Sequence, residues 1–286
     1  MKVVTSVKNA HLYDEKIQEN RLLNFALTDY LIDWVQTQKE PVLHFWQLPE
    51  TFILGMKDLR VDDLKNGLKI IAKSNYQPVV RNAGGLGVLN DAGILNISLF
   101  LPNPQRKISV DNAYQIMTEL IQKALGTAEF PIEAYEISDS YCPGKYDLSI
   151  HGKKIAGIAQ RRLNEGIAVM LYLSVDGPQL ARGELVKNFY QAALKENFGA
   201  RGYPAVNPAV MKNLNDFYPV NVTSVKEKIT IAFADYFATD ISEIVIKEQL
   251  KKTAAQLFLQ EKFTKMTERN ETLHQLFQEV KNNDPL

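Results

Sequence analysis

Apolar side chains along this chain recur with two different periods, and the switches between them mark its elements. Over 17–38, Leu23, Leu27, Tyr30, Leu31, Trp34 and Val35 return at three- and four-residue steps, which predicts a helix with one buried face. Val61, Leu64, Leu68, Ile71 and Ala72 predict a second. Val110, Ala113, Tyr114, Met117, Leu120, Ile121 and Leu125 predict a third, stopped by Gly126 with Pro131 beyond. A fourth is expected over 180–196. Between them lie short β-rich runs: 42–46 and 51–54, separated by Leu48-Pro49-Glu50, read as paired strands, and so do 78–81 and 94–101 across a glycine-rich loop. The continuous apolar run 166–174 has the length of a strand buried on both faces.

Beyond Tyr203-Pro204 and Asn207-Pro208 the pattern is helical and more charged, with Val225, Ile229, Ala232, Phe233 and Tyr236 in one set and Leu257, Phe263, Leu273 and Leu276 in another. The expected organisation is a main unit over 1–220 and a helical extension packed on it over 221–286. Several strand connections are of turn length. The fold class that follows is α/β of the α+β type, with a mixed, largely antiparallel sheet flanked by helices.

Composition narrows the function classes. Thirty-three basic residues balance thirty-three acidic ones, so overall charge gives no reason to expect a nucleic-acid partner. One cysteine cannot form an intramolecular disulfide, residues 1–16 lack the apolar core of a secretory signal, and no apolar run is long enough to span a bilayer. A cytoplasmic protein with no membrane partner is expected. Four scattered histidines and one cysteine give no zinc spacing, so no metal is expected; His44 alternates with apolar neighbours and is read as a strand histidine, leaving a Cys-His pair weakly supported.

Candidate chemistry concentrates between Ser140 and Arg162, around that cysteine. His151-Gly152 joins two β-rich runs as a two-residue hairpin turn, and counting outward pairs Ile150 with Lys153, Ser149 with Lys154, Leu148 with Ile155 and Asp147 with Ala156. Tyr146, Leu148, Ile150 and Ile155 then form the core face. Lys154 shares the other face with Asp147 and Ser149, toward a cleft or solvent, while Lys153 snorkels outward at the hairpin end. Cys142 precedes Pro143-Gly144 and belongs in a loop mouth. A thiolate is the reactive form of cysteine and a nearby ammonium favours it. On residue pattern alone, an edge lysine and a structural cysteine remain open alternatives. A second feature is the loop Arg81 to Asn96, whose glycines let backbone amides approach a ligand; it is neither a Walker loop nor G-x-G-x-x-G.

The Arg81–Asn96 loop, Gly152-Lys-Lys-Ile-Ala-Gly157 and Gln160-Arg161-Arg162 together resemble the lipoate-protein ligase, octanoyltransferase and biotin ligase superfamily over roughly residues 43–175. That resemblance implies a curved sheet in a catalytic domain over 1–220 and an acyl site that includes Arg81, Gly84, Gly85, Gly87, Asp91, Ala156 and Gly157. Ser140-Tyr-Cys-Pro-Gly-x-Tyr-Asp-Leu-Ser149 is similar to the amidotransferase branch. For that branch the resemblance implies that Cys142 forms an acyl-thioester and that Lys154, twelve positions on, lowers its pKa and binds the acyl carbonyl. It also implies the partners: an octanoylated glycine cleavage H protein as donor and lipoyl domains of 2-oxoacid dehydrogenase E2 subunits as acceptors, with no cofactor. ATP-dependent ligases carry an arginine pair, three consecutive glycines and a histidine before the aspartate. Here stand Arg81-Asn82, Gly84-Gly85-Leu86-Gly87 and Asn90-Asp91, which argues against adenylate formation. The rival expectations are an octanoyltransferase fed by acyl carrier protein and a non-catalytic lipoyl-domain binding protein.

Overall fold

The computed structural model describes residues 7–14, 17 and 19–283; the segment 1–6 considered above for a leader lies outside them. The chain runs through β1 (Ala10–Asp14), α1 (Leu23–Gln38), β2 (Val42–Trp46), β3 (Thr51–Leu54), α2 (Leu64–Ala72), β4 (Gln77–Val80), β5 (Val88–Asn90) and β6 (Ile94–Pro102). It continues with α3 (Val110–Leu125), β7 (Glu133–Ala134), β8 (Leu148–Ile150), β9 (Lys153–Leu163), β10 (Gly166–Ser174) and α4 (Gln179–Leu194). The last elements are α5 (Val222–Phe237), β11 (Ile241–Ser242), α6 (Ile244–Leu250) and α7 (Thr253–Asn283).

Local chemistry sets several of these bounds. Asp63, Ser109 and Asn221 each accept a backbone N–H of the first turn of α2, α3 and α5, satisfying a donor that the helix leaves open. The strands form an eight-stranded sheet in the order β11-β1-β2-β6-β10-β9-β8-β7 and a three-stranded sheet in the order β4-β3-β5. The β11-β1-β2 end is parallel and the rest of the large sheet antiparallel. The mixed, largely antiparallel α/β expectation holds, whereas the expected strand pairs do not. β2 pairs with β6, and β3 pairs with β4 and β5 in the smaller sheet. Propensity says where a strand lies; its partner is chosen by which apolar faces can be buried together.

Alternation along the central strands separates two faces. Leu95, Ile97, Leu99 and Leu101 of β6, with Ile167, Val169, Leu171 and Leu173 of β10, pack toward α3 and α5 in the main core. On the other face Phe100 and Ala168 meet α1. A third cluster joins the small sheet to α2, α4 and α7. The α7 helix buries Met266, Asn270, Leu273, Phe277 and Val280, while Leu257, expected on its apolar face, is exposed. No helix among the described residues is long and apolar enough to cross a membrane.

Candidate active site

The hairpin β8–β9 turns at His151 (φ 48°) and Gly152 (φ 72°), both in the left-handed region that a two-residue hairpin turn of this hand requires. Its register is Ile150 to Lys153 and Ser149 to Lys154, as counted from the turn. Then the pairing slips: a bulge between Leu148 and Ser149 sets Leu148 opposite Ala156, not Ile155. Ile155 and Ala156 both enter the main core as a result. Lys153 reaches outward to the carbonyl of Ala209 at 2.9 Å.

Lys154 points the other way and is buried, its side chain 5% exposed against 1% for Asp147, whose Oδ1 lies 2.9 Å from Nζ. The ammonium also donates to Ser140 Oγ (3.0 Å) and to the carbonyls of Tyr141 (3.1 Å) and Cys142 (2.9 Å). Burial pushes the Asp147 carboxyl above its ordinary range, opposed by Lys154 and by the N–H groups of Gly144 and Ile137. Cys142 therefore sits in a turn held from beneath by a lysine. Its φ of 47° is a left-handed conformation that costs a non-glycine residue about 1–3 kcal/mol unless its surroundings fix it.

The sulfur faces the glycine loop between β4 and β5. The Leu86 N–H donates to Sγ at 3.1 Å, and the Arg81 guanidinium reaches it at 3.6 Å while donating to the Leu86 carbonyl at 2.8 Å. Gly85 has φ 101°, and a side chain there would meet Arg81 Nη2 at 2.3 Å and Sγ at 2.9 Å. Gly55 is required for a related reason, since a Cβ would lie 1.9 Å from the Gly85 carbonyl. The loop is anchored from behind: the Gly87 N–H donates to Tyr190 Oη (2.9 Å), which donates to the buried Asp58 (2.8 Å), whose second oxygen accepts from Gly55 N–H (2.8 Å). Burial raises Asp58 to about 6, against the lowering by those bonds and by Arg81 and Lys57. Val80, the residue before Arg81, is paired through its N–H and carbonyl with the side-chain amide of Asn270 on α7 (2.6 and 3.1 Å).

Cys142 opens on a cavity of about 290 Å³ lined by Phe25, Trp46, Ile53, Val88, Ile158, Met170 and Tyr172, with Arg81, Asn96, Tyr114, Tyr141, Lys154 and Gln160 among its polar members. That is near the lower end of the range of about 300–1,000 Å³ usual for small-ligand sites and suits a slim apolar chain. Of the residues singled out from sequence, Cys142, Lys154, Arg81, Gly84, Gly85 and Gly157 line this cavity, and Gly87, Asp91 and Ala156 do not. Gly87 binds Tyr190, and Ala156 belongs to the core. Asp91 receives the fully buried Arg182 at 2.5 Å and Tyr76 Oη at 2.7 Å, a structural network. Of the apolar residues that follow the glycines of the loop, Val88 lines the cavity while Leu95 and Ile97 are core. The loop whose backbone amides were expected to approach a ligand turns its Leu86 amide to the sulfur, whereas sequence reasoning missed the Asp58–Tyr190 relay, which joins residues far apart in the chain.

The family model for the lipoyl protein ligase A/B catalytic domain matches residues 20–234. An octanoyl-[GcvH]:protein N-octanoyltransferase of Lysinibacillus sphaericus is 39% identical over 74% of this chain and 77% of its own length. A lipoyl-[GcvH]:protein N-lipoyltransferase of Listeria monocytogenes is 43% identical over 68% and 70%. Among solved structures, a lipoate-protein ligase A bound with ATP superposes with a TM-score of 0.69 at 19% identity, covering 90% of this chain and 95% of that one. A bipartite lipoate protein ligase from Thermoplasma acidophilum gives 0.64 at 19% identity over 90% and 92%. At that identity the two structures speak for the fold.

Proposed function

The chain belongs to the lipoyl protein ligase A/B catalytic-domain family, and from that premise we propose that it is an acyltransferase moving an octanoyl group from the lysine of GcvH to the lysine of lipoyl domains of 2-oxoacid dehydrogenase E2 subunits. The observation that carries the proposal is the position of the only cysteine, at the mouth of a largely apolar cavity, with an amide N–H and a guanidinium directed at its sulfur.

In the first half-reaction the Cys142 thiolate attacks the octanoyl amide carbonyl. A C–S bond forms, the carbonyl electrons move to oxygen, and on collapse the C–N bond breaks; the proton given up by the thiol ends on the departing lysine amine. In the second, the acceptor lysine amine attacks the thioester, the C–S bond breaks, and the amine proton returns to sulfur. One amide replaces another, so no nucleotide is consumed. Arg81, Gly84, Gly85 and Gly157 bind the acyl group's reacting end. Lys154 acts behind Cys142, through the backbone of the turn.

The Listeria relative supports a second reading in which the group is lipoyl. One assay decides among donors: incubate the protein with octanoyl-GcvH, lipoyl-GcvH, octanoyl-acyl carrier protein, or lipoate with ATP, and follow the mass of Cys142 and of an apo lipoyl domain. The octanoyl-GcvH reading expects an octanoyl adduct on Cys142 that chases to the lipoyl domain and is absent from Cys142→Ala. Transfer by the alanine variant, or binding with no adduct from any donor, refutes it.

A further inference from the structure

We propose that the cation serving the Cys142 sulfur is Arg81, with the Leu86 amide beside it, and that Lys154 is a positioning residue that fixes the turn; the proposal rests on the acyl-thioester reading above. An ammonium has three N–H donors. Those of Lys154 meet four acceptors, Asp147 Oδ1, Ser140 Oγ and the carbonyls of Tyr141 and Cys142, all within 3.1 Å. None is left for sulfur, and the lysine's charge is already balanced by a buried carboxylate.

Arg81 is in the opposite state. Among the described residues no carboxylate lies within ion-pair distance of it: Asp58, whose charge it feels, is bound instead to Gly55 N–H and Tyr190 Oη. The Arg81 Nε is buried and has no hydrogen-bond partner in the described structure. One Nη bridges the Leu86 carbonyl and Cys142 Sγ, so the peptide that turns its N–H to the sulfur is held by the same guanidinium. The other groups that face this centre are Tyr190 from α4 and Tyr114 from α3, both neutral when protonated and both raised by burial, and the internally paired Lys154–Asp147.

Negative charge on sulfur appears twice in the reaction, on the attacking thiolate and on the thiolate that leaves when the acceptor amine displaces it. Two fixed donors in a largely apolar cavity favour both states. Arg81 thereby contributes to both half-reactions, whereas Lys154 contributes by holding a left-handed cysteine in place.

The test measures iodoacetamide alkylation of Cys142 against pH in wild type, Arg81→Gln, Arg81→Lys and the paired variant Lys154→Met/Asp147→Asn, each checked for folding by thermal melting. For Arg81→Gln the expected result is alkylation roughly tenfold slower near neutral pH, catching up in alkali, with Arg81→Lys recovering much of the loss. The paired variant is expected to keep the wild-type shape of the pH profile while losing melting temperature and acyl loading. A wild-type profile in folded Arg81→Gln, or an alkaline displacement in the paired variant and not in Arg81→Gln, overturns the proposal. Alkylation needs no acyl donor, so a wild-type protein that forms no adduct from any donor defeats the acyl-thioester reading by a separate result.

Discussion

Replacing Lys154 by methionine removes the cation and leaves Asp147 buried with the shape of the site nearly kept. Asp147 Oδ1 loses its partner at 2.9 Å, and three acceptors in the 140–142 turn lose their donor. Removing one member of a buried ion pair costs about 3–5 kcal/mol, because the remaining charge stays desolvated. Against a total stability of about 5–15 kcal/mol for a domain, that is a large fraction. Adding Asp147→Asn removes the orphaned charge and keeps an oxygen for Gly144 and Ile137, so the double variant is expected to recover about half the loss.

The pH dependence has a definite sign. Burial holds the folded Asp147 carboxyl above its ordinary range even with Lys154 present. A carboxyl raised on folding stabilises below its unfolded pKa and loses that contribution as pH rises through the folded value. Without Lys154 the folded value rises further, so the deficit of Lys154→Met is greatest at neutral pH and shrinks as the solution is acidified. Urea denaturation at several pH values measures it. A single-variant loss below about 1 kcal/mol at neutral pH, or no recovery in the double variant, refutes the reasoning.

Other perturbations test the surroundings of the sulfur. Gly85→Val puts a Cβ 2.3 Å from Arg81 Nη2 at φ 101°, and acyl transfer is expected to fall about 100-fold in protein that is still folded but melts lower; near-normal turnover contradicts the placement. Asn270→Leu strips the N–H and carbonyl of Val80 of their partner at a cost of about 1–3 kcal/mol each, read by chemical denaturation. Asp58, raised from 3.8 to about 6, stabilises below 3.8 and loses that contribution as pH rises through about 6. A rise of that size corresponds to about 3 kcal/mol, so wild-type stability should decline by that order across this window and Asp58→Asn should lack the decline.

The legible part of the structure was the part written locally. Helix α3 and strand β10 begin and end where their apolar runs do, because Ser109 caps α3 and because β10 is covered on both faces, with only Met170 and Tyr172 half-buried at the cavity. The hairpin turn fixed the start of the β8–β9 register, so Lys154 opposite Ser149 followed from counting. The bulge that comes next carries no glycine or proline to mark it. Strand partners were misassigned because 42–46 and 51–54 are equally β-prone yet belong to different sheets. In the site, Arg81 stood out beside its glycines and Cys142 by being alone. Leu86 acts through its backbone, and Asn270 reaches Val80 across 190 positions, so neither leaves a trace in residue type.

The cavity is walled by elements of both sheets and by α1, most of whose lining residues already pack in one cluster. Phe25 comes from α1, Ile53 and Val88 from the smaller sheet, and Trp46, Met170 and Tyr172 from the larger one. On the proposed mechanism an acyl chain lodged there would be in effect an additional core side chain, supplied by another protein and tethered to this one through Cys142. Loading would then extend the packing that already joins the two sheets, and unloading would return the cavity to water. Each turnover would alternately complete and reopen the hydrophobic interior, making the acyl-enzyme the better-packed form of the molecule.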